Sequence, residues 1–200
     1  MNRVFYIFRH GETDWNLERR CQGHTDTSLN QKGRLQAQAL AQKMLDFSLD
    51  IIVSSDLKRA LSTGEAVALK LGIPLIIDPR LREMNYGEAE GMLYPKAVEV
   101  YGAELWQKFQ SFNEDNDQIA FPGGETRKMA RERFHQVLLE LVENSPYKNL
   151  GISTHGGAIR NILHSLLPKE QPLLPIPNCV VYRCDYNHEN KSFRVFPNPI

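Results

Sequence analysis

The chain is 200 residues long, 42% apolar and 24% charged, with 24 Lys+Arg set against 24 Asp+Glu. That length suits one domain, residues 1–200, with a sizeable core. The charge balance excludes nucleic-acid binding driven by bulk charge and leaves room only for a local basic pocket. No apolar run approaches the roughly 20 residues of a membrane span. The cysteines Cys21, Cys179 and Cys184 show no zinc-type spacing, and no signal peptide precedes them. That pattern fits a reducing, cytoplasmic setting, with the thiols acting as small hydrophobes.

Val4 to Phe8 is an apolar run that reads as a buried parallel strand. It runs straight into Arg9-His10-Gly11-Glu12-Thr13. The carboxyl end of a strand is where open α/β sheets bind ligands. Arginine offers phosphate a planar fork of donors, and an imidazole attacks or shuttles protons near neutral pH. His10 therefore reads as a nucleophile that accepts a phosphoryl group, with an ordinary strand exit as the alternative. Residues 14–26 are polar and read as a loop. Asn16 and Gln22 there serve as turn residues or as amide donors to phosphate oxygens. Arg34 to Phe47 carries apolar residues at helical spacing.

Asp50 to Ser55 is a second strand, followed by a helix from Asp56 to about Leu71, with Asp56 expected as its N-cap. Helix first turns favour acidic residues and bound anions. Arg59 in that turn thus points to a phosphate, or is simply a solvated surface arginine. Gly72-Ile73-Pro74 ends the helix and Leu75-Ile76-Ile77 is a third strand. Glu83 follows soon after and can reach the same edge, whereas Glu88 and Glu90 read as solvated or structural. Residues 94–113 look helical. Val98, Tyr101, Leu105, Trp106, Phe109 and Phe112 lie roughly on one face, either as core or as a lid. Residues 113–118 read as an exposed loop, and a helix runs from Thr126 to about Asn144. Asn149 to Thr154 is a fourth strand, ending in His155-Gly156-Gly157 before a helix from Ala158 to Leu167. Pro168 to Pro177 is a loop, and Asn178–Tyr186 with Ser192–Phe196 suggests a final hairpin at the sheet edge. Right-handed crossovers bring the ends of parallel strands to one edge, so Arg9, His10, Arg59, Glu83 and His155 are expected to converge. No repeat or linker divides the chain.

The ordered set Arg9-His10-Gly11-Glu12-Thr13 with Asn16, Gln22-Gly23, Ser54 to Ala60, Leu81-Arg82-Glu83, Pro122-Gly123-Gly124-Glu125 and Thr154-His155-Gly156 resembles the histidine phosphatase superfamily, the phosphoglycerate mutase-like proteins. The resemblance implies an α/β fold, a three-layer α/β/α sandwich around a mostly parallel sheet. It implies that His10 is phosphorylated, that Arg9, Arg59 and His155 hold the phosphoryl oxygens, and that Asn16 and Gln22 add hydrogen bonds. Gly23 and Gly156 belong to the same binding set. Glu83 is implied as proton donor to the leaving group. Phosphoryl transfer is chiefly positioning and charge stabilisation, and these residues supply the charge, so no metal or cofactor is expected. His10 must be neutral to attack, and His155 is most useful protonated. Glu83 must carry a proton at transfer, and burial or a phosphate dianion would raise its pKa.

Several departures separate the chain from the family's mutases. The insertion after Tyr101-Gly102 and the paired arginines near it are absent, Gly157 stands where mutases commonly carry Asn, and the tail ends at Ile200. The chain thus resembles the broad-specificity and α-ribazole phosphatases, which implies a phosphomonoesterase of the histidine acid phosphatase type. A cofactor-dependent mutase, a sugar bisphosphatase or an inactive phospho-ligand binding module are the alternatives. The expected partner is a small phosphate ester, with no nucleic acid and no membrane. The Met84 to Phe121 region suits apolar leaving groups or a plain core, and oligomeric state has no signature.

Overall fold

The computed structural model describes residues 2–111 and 114–200, the side chain of Glu114 excepted. Six strands form one sheet in the order β3-β2-β4-β1-β5-β6. They are β1 (Arg3–Arg9), β2 (Ile51–Ser54), β3 (Leu75–Ile77), β4 (Asn149–Thr154), β5 (Val181–Asn187) and β6 (Ser192–Val195). β1, β2, β3 and β4 are mutually parallel, while β5 and β6 form the expected antiparallel hairpin at one edge.

The side-chain period of two along β1 divides the core. Phe5 and Ile7 face a cluster with Phe134, Leu138, Ile159 and Leu163. These come from α6 (Arg127–Asn144) and α7 (Gly156–Ser165). Phe8 faces the opposite cluster with Leu40, Met44 and Val67, contributed by α2 (Gln31–Lys43), the 3-10 turn after it, and α3 (Lys58–Leu71). A sheet covered by helices on both faces buries its strands throughout, which is why these strands read as continuous apolar runs. The expected α/β/α sandwich is the observed fold.

Some local expectations change. Residues 14–26 are not all loop: α1 (Asp14–Leu17) is one helical turn held by a capping box between Thr13 and Asn16. α2 begins earlier than Arg34, because Asn30 caps it by accepting from Gly33 N at 2.8 Å. The region 94–113 divides at Gly102 into α4 (Tyr94–Tyr101) and α5 (Ala103–Gln110). Phe112 and Asn113 lie outside the described residues. Asp56 is not the cap of α3. Its carboxylate forks onto the Arg82 guanidinium, with Nε at 2.8 Å, and such a bidentate charged pair outweighs a neutral cap bond. Asp26 does the capping from another loop, accepting from Lys58 N at 2.7 Å.

Candidate active site

Three parallel strands end level with one another, with Arg9 opposite Thr154 and Ser54 opposite Ser153. The next residue of each is His10, Ser55 and His155, and the ladder carries on through His10 N to Thr154 O and Ser55 N to Ser153 O. That register stacks the two imidazoles edge to face, with centroids 5.2 Å apart. Both are buried. His10 Nδ1 lies 2.7 Å from the Gly11 carbonyl. A carbonyl only accepts, so Nδ1 carries the hydrogen and Nε2 presents a lone pair. His155 Nε2 lies 2.9 Å from Ser55 Oγ. That hydroxyl also accepts from Leu57 N, and with one hydrogen and two lone pairs it pairs with either tautomer of the ring. His155 Nδ1 is buried with no protein partner.

Arg59 is fully buried. Its Nη2 donates to Gly23 O at 2.7 Å and its Nη1 to Thr25 O at 2.8 Å, which aims the guanidinium without neutralising it. Arg9 donates through Nη1 to Ile176 O at 2.6 Å. The Nε of each arginine is buried without a partner. Burial lowers the pKa of both, Arg59 to about 10. Burial also holds His10 and His155 well below the ordinary imidazole value, and the nearby Arg59 adds to it. A neutral His10 suits attack. The expected protonated His155 differs from this site, where burial beside a guanidinium keeps the ring neutral. A neutral ring still carries one N–H to donate.

Glu83 lies over the amino end of α7. Its Oε2 accepts from Gly157 N at 2.9 Å, and its Oε1 from Ala158 N at 2.7 Å and Met84 N at 2.9 Å. Helix amino termini offer such free amides. Asn16 Oδ1 accepts from Thr13 N and Asn178 Nδ2, while Gln22 Oε1 accepts from Thr13 and Thr27 hydroxyls. Each amide oxygen is thus occupied, and the NH2 group is the end turned to other partners.

These side chains surround a cavity of about 270 Å³, whose wall includes Arg9, His10, Asn16, Gln22, Arg59 and Glu83. Gly156 is also on the wall. His155 and Gly23 are not: His155 stands behind His10, and Gly23 positions Arg59 through its carbonyl. Gly23 has φ +54°, and a Cβ there would come within 2.0 Å of Glu90 Oε1. Only glycine fits both constraints. Tyr86, Tyr94, Trp106, Phe109 and Phe121 complete the wall. α5 has no buried residue, so its aromatics cover the cavity rather than fill a core.

Glu90, expected to be solvated or structural, is structural, while three further contributors, Arg133, Arg127 and Arg160, escaped the sequence reading. Glu90 clamps the 22–25 loop, accepting from His24 N, Thr25 N and Thr25 Oγ1, and also from Tyr86 N. Arg133 braces the Glu83 segment by donating to the carbonyls of Arg80, Arg82 and Glu83. Arg127 and Arg160 reach the cavity wall from α6 and α7. None follows a strand end, and helix-face charges carry no distinguishing pattern. Among the described residues, no group of three or more His, Cys, Asp or Glu is placed to hold a metal ion, and no helix is long and apolar enough to cross a membrane. All three cysteines are unpaired thiols.

The family model for the histidine phosphatase superfamily (branch 1) matches residues 5–199. The chain is 36% identical over 157 residues to an uncharacterized phosphatase, PhoE, of Bacillus subtilis, covering 78% of this chain and 74% of that one. It is 34% identical over 184 residues to the probable phosphoglycerate mutase GpmB of Escherichia fergusonii, covering 90% and 84%. Among solved structures, the mycobacterial glucosyl-3-phosphoglycerate phosphatase superposes with a TM-score of 0.85 at 26% identity, over 98% of this chain and 97% of that one. The Bacillus stearothermophilus protein YhfR superposes with a TM-score of 0.82 at 28% identity, over 98% and 96%. The chain belongs to the histidine phosphatase superfamily, branch 1.

Proposed function

We propose that the protein hydrolyses phosphate monoesters without a metal, through a phosphohistidine on His10, acting as one domain in a reducing cytoplasm. One observation carries this reading. A neutral, tautomer-locked His10 sits among Arg9, Arg59 and the His155 ring, beside a carboxyl held on helix amides. His10 Nε2 attacks phosphorus and the ester P–O bond breaks. The leaving oxygen takes the proton of Glu83. Water then gives a proton to the Glu83 carboxylate as its oxygen attacks phosphorus, the P–N bond breaks, and inorganic phosphate leaves. Charge on the equatorial oxygens is met by Arg9, Arg59, His155 and the amides of Asn16 and Gln22. The thiols support the compartment: burial raises Cys21 to about 11 and Cys179 and Cys184 to about 12, which makes them inert hydrophobes.

The test is turnover of p-nitrophenyl phosphate by EDTA-treated protein, with an acid-labile phosphoryl label trapped on His10. Steady phosphate release and a label absent from His10→Ala are the expected result. Full activity of His10→Ala overturns the nucleophile assignment. Conversion of 3-phosphoglycerate to 2-phosphoglycerate only with 2,3-bisphosphoglycerate present would make the protein a mutase, and vanadate binding without turnover would make it a binding module.

A further inference from the structure

The chain enters β5 through a bulge that lies against the strand end carrying His10. Arg9 N donates to Val180 O at 3.1 Å, and Arg9 O accepts from Cys179 N at 3.2 Å, so one residue of β1 faces two of the incoming chain. Val180 N closes the preceding turn on Pro177 O at 3.2 Å. The turn needs a left-handed residue, and Cys179 supplies it with φ +58°. Glycine or asparagine ordinarily fills such a place, so a side chain is held here against backbone strain. The segment is pinned on its other side as well. Pro175 O accepts from Tyr182 Oη at 2.6 Å, and Ile176 O accepts from Arg9 Nη1 at 2.6 Å.

Bulges re-aim a neighbouring side chain, and here that side chain is Asn178. Its Nδ2 donates to His10 O at 3.0 Å and to Asn16 Oδ1 at 3.2 Å. Both amide orientations are forced. The His10 carbonyl only accepts, so Asn178 must turn its NH2 group to it. Thr13 N only donates, so Asn16 must present its oxygen, at 3.2 Å. With Thr13 N and Asn178 Nδ2 both on Asn16 Oδ1, the Asn16 NH2 group is the end left for the cavity, whose wall Asn16 lines. The His10 peptide is gripped from two sides, its N–H by Thr154 O at 3.0 Å and its carbonyl by Asn178.

Resting on the phosphatase reading, we propose that Asn178 is a positioning residue for phosphoryl transfer, one NH2 group holding the His10 backbone at the strand end and turning the Asn16 amide so that its N–H groups face the phosphoryl oxygens. Asn178 stands behind the wall and acts only through those two residues. Transfer to an imidazole depends on placing nucleophile and charge-stabilising donors together before the reaction, and a shared donor fixes both at once.

The experiment is a double-mutant cycle. Asn178→Ala should lower kcat/KM for p-nitrophenyl phosphate about 10- to 100-fold. Because part of that loss runs through Asn16, the losses of Asn178→Ala and Asn16→Ala should not multiply. The double variant should keep at least about threefold more activity than their product. Asn178→Asp preserves the shape but cannot donate, and it draws the Asn16 NH2 group away from the phosphoryl oxygens. It should lose more than Asn178→Ala. Losses that multiply to within about twofold, or wild-type kcat/KM in Asn178→Asp, overturn the proposal. Calorimetric titration of the same proteins with vanadate separates positioning from folding. Affinity weaker by about tenfold at full stoichiometry is the expected result. Reduced stoichiometry at unchanged affinity would show that Asn178 serves the fold alone. If the wild-type protein binds vanadate but turns over no ester, the phosphatase reading fails. The positioning claim then stands or falls on the vanadate affinities of the single and double variants.

Discussion

Gly157 and Glu83 occupy each other's space. The Gly157 amide donates to Glu83 Oε2 at 2.9 Å, and a Cβ on residue 157 would lie 2.7 Å from Glu83 Oε1 and 2.7 Å from the Tyr86 hydroxyl oxygen. The carboxyl rests on α7 only because this position has no side chain. Gly157→Ala should therefore displace Glu83 from its amides while leaving His10 in place. Esters of poor leaving groups, which need the proton, should lose about 100-fold in kcat. p-Nitrophenyl phosphate, whose anion leaves unaided, should lose far less. Equal losses for both would show that Gly157 matters only for folding.

The buried imidazoles set a pH dependence of stability. His10 and His155 are held well below 6.5 by burial, so the folded state keeps them neutral while the unfolded chain takes up protons near 6.5. The unfolded state binds more protons there, and stability rises with pH through that region. The contribution is complete above about 6.5 and is lost as pH falls below it, with a slope of up to about 1.4 kcal/mol per pH unit for each ring. Urea midpoints at graded pH for wild type and His155→Gln should show a shallower acid limb in the variant. Saturating inorganic phosphate should shift that limb, because the dianion favours a protonated His155.

Glu90 holds the carbonyls that hold Arg59. It ties down His24 N, Thr25 N and Thr25 Oγ1, and Gly23 O and Thr25 O then accept from the guanidinium. Glu90→Ala should cost about 2–3 kcal/mol of stability, as expected for lost hydrogen bonds to a charged group. It should also weaken vanadate binding, because Arg59 loses its aim. Thermal unfolding with vanadate titration checks both, and an unchanged vanadate affinity would separate Glu90 from the phosphate site.

Arg133 plays the corresponding part for Glu83, the proposed proton donor. It donates to the Glu83 carbonyl at 2.7 Å and pairs with Glu125, both side chains being largely buried. Arg133→Met should destabilise by about 3 kcal/mol, the cost of breaking such a pair. It should also lower kcat for poor leaving groups about 10- to 100-fold through misplacement of Glu83, with KM little changed. Loss confined to KM would place Arg133 outside this chain of supports.

The core of the site was legible because strand ends announce themselves. Apolar runs stopping at Arg9-His10, Ser54-Ser55 and Thr154-His155 mark the sheet edge, and parallel register makes them converge. Glu83 was legible as an acid after a strand. Asn16 and Gln22 were legible only through the motif, since isolated amides in a polar stretch look like turn residues. Asp56 misled because it precedes a helix as a cap does, while its partner Arg82 lies 26 residues away.

The sequence by itself determined the α/β/α sandwich, the order of its elements and the place of His10 at a strand end, because hydrophobic period and strand-end residues are local properties. Tertiary structure alone decided what surrounds that histidine. It set which tautomer His10 presents and, through burial beside Arg59, the neutrality of His155. It also placed Glu83 on the α7 amides, hung Arg59 on the Gly23 and Thr25 carbonyls, and brought Arg127 and Arg160 to one wall. Those features depend on burial and on contacts between residues far apart in the chain, and neither is written in any local pattern.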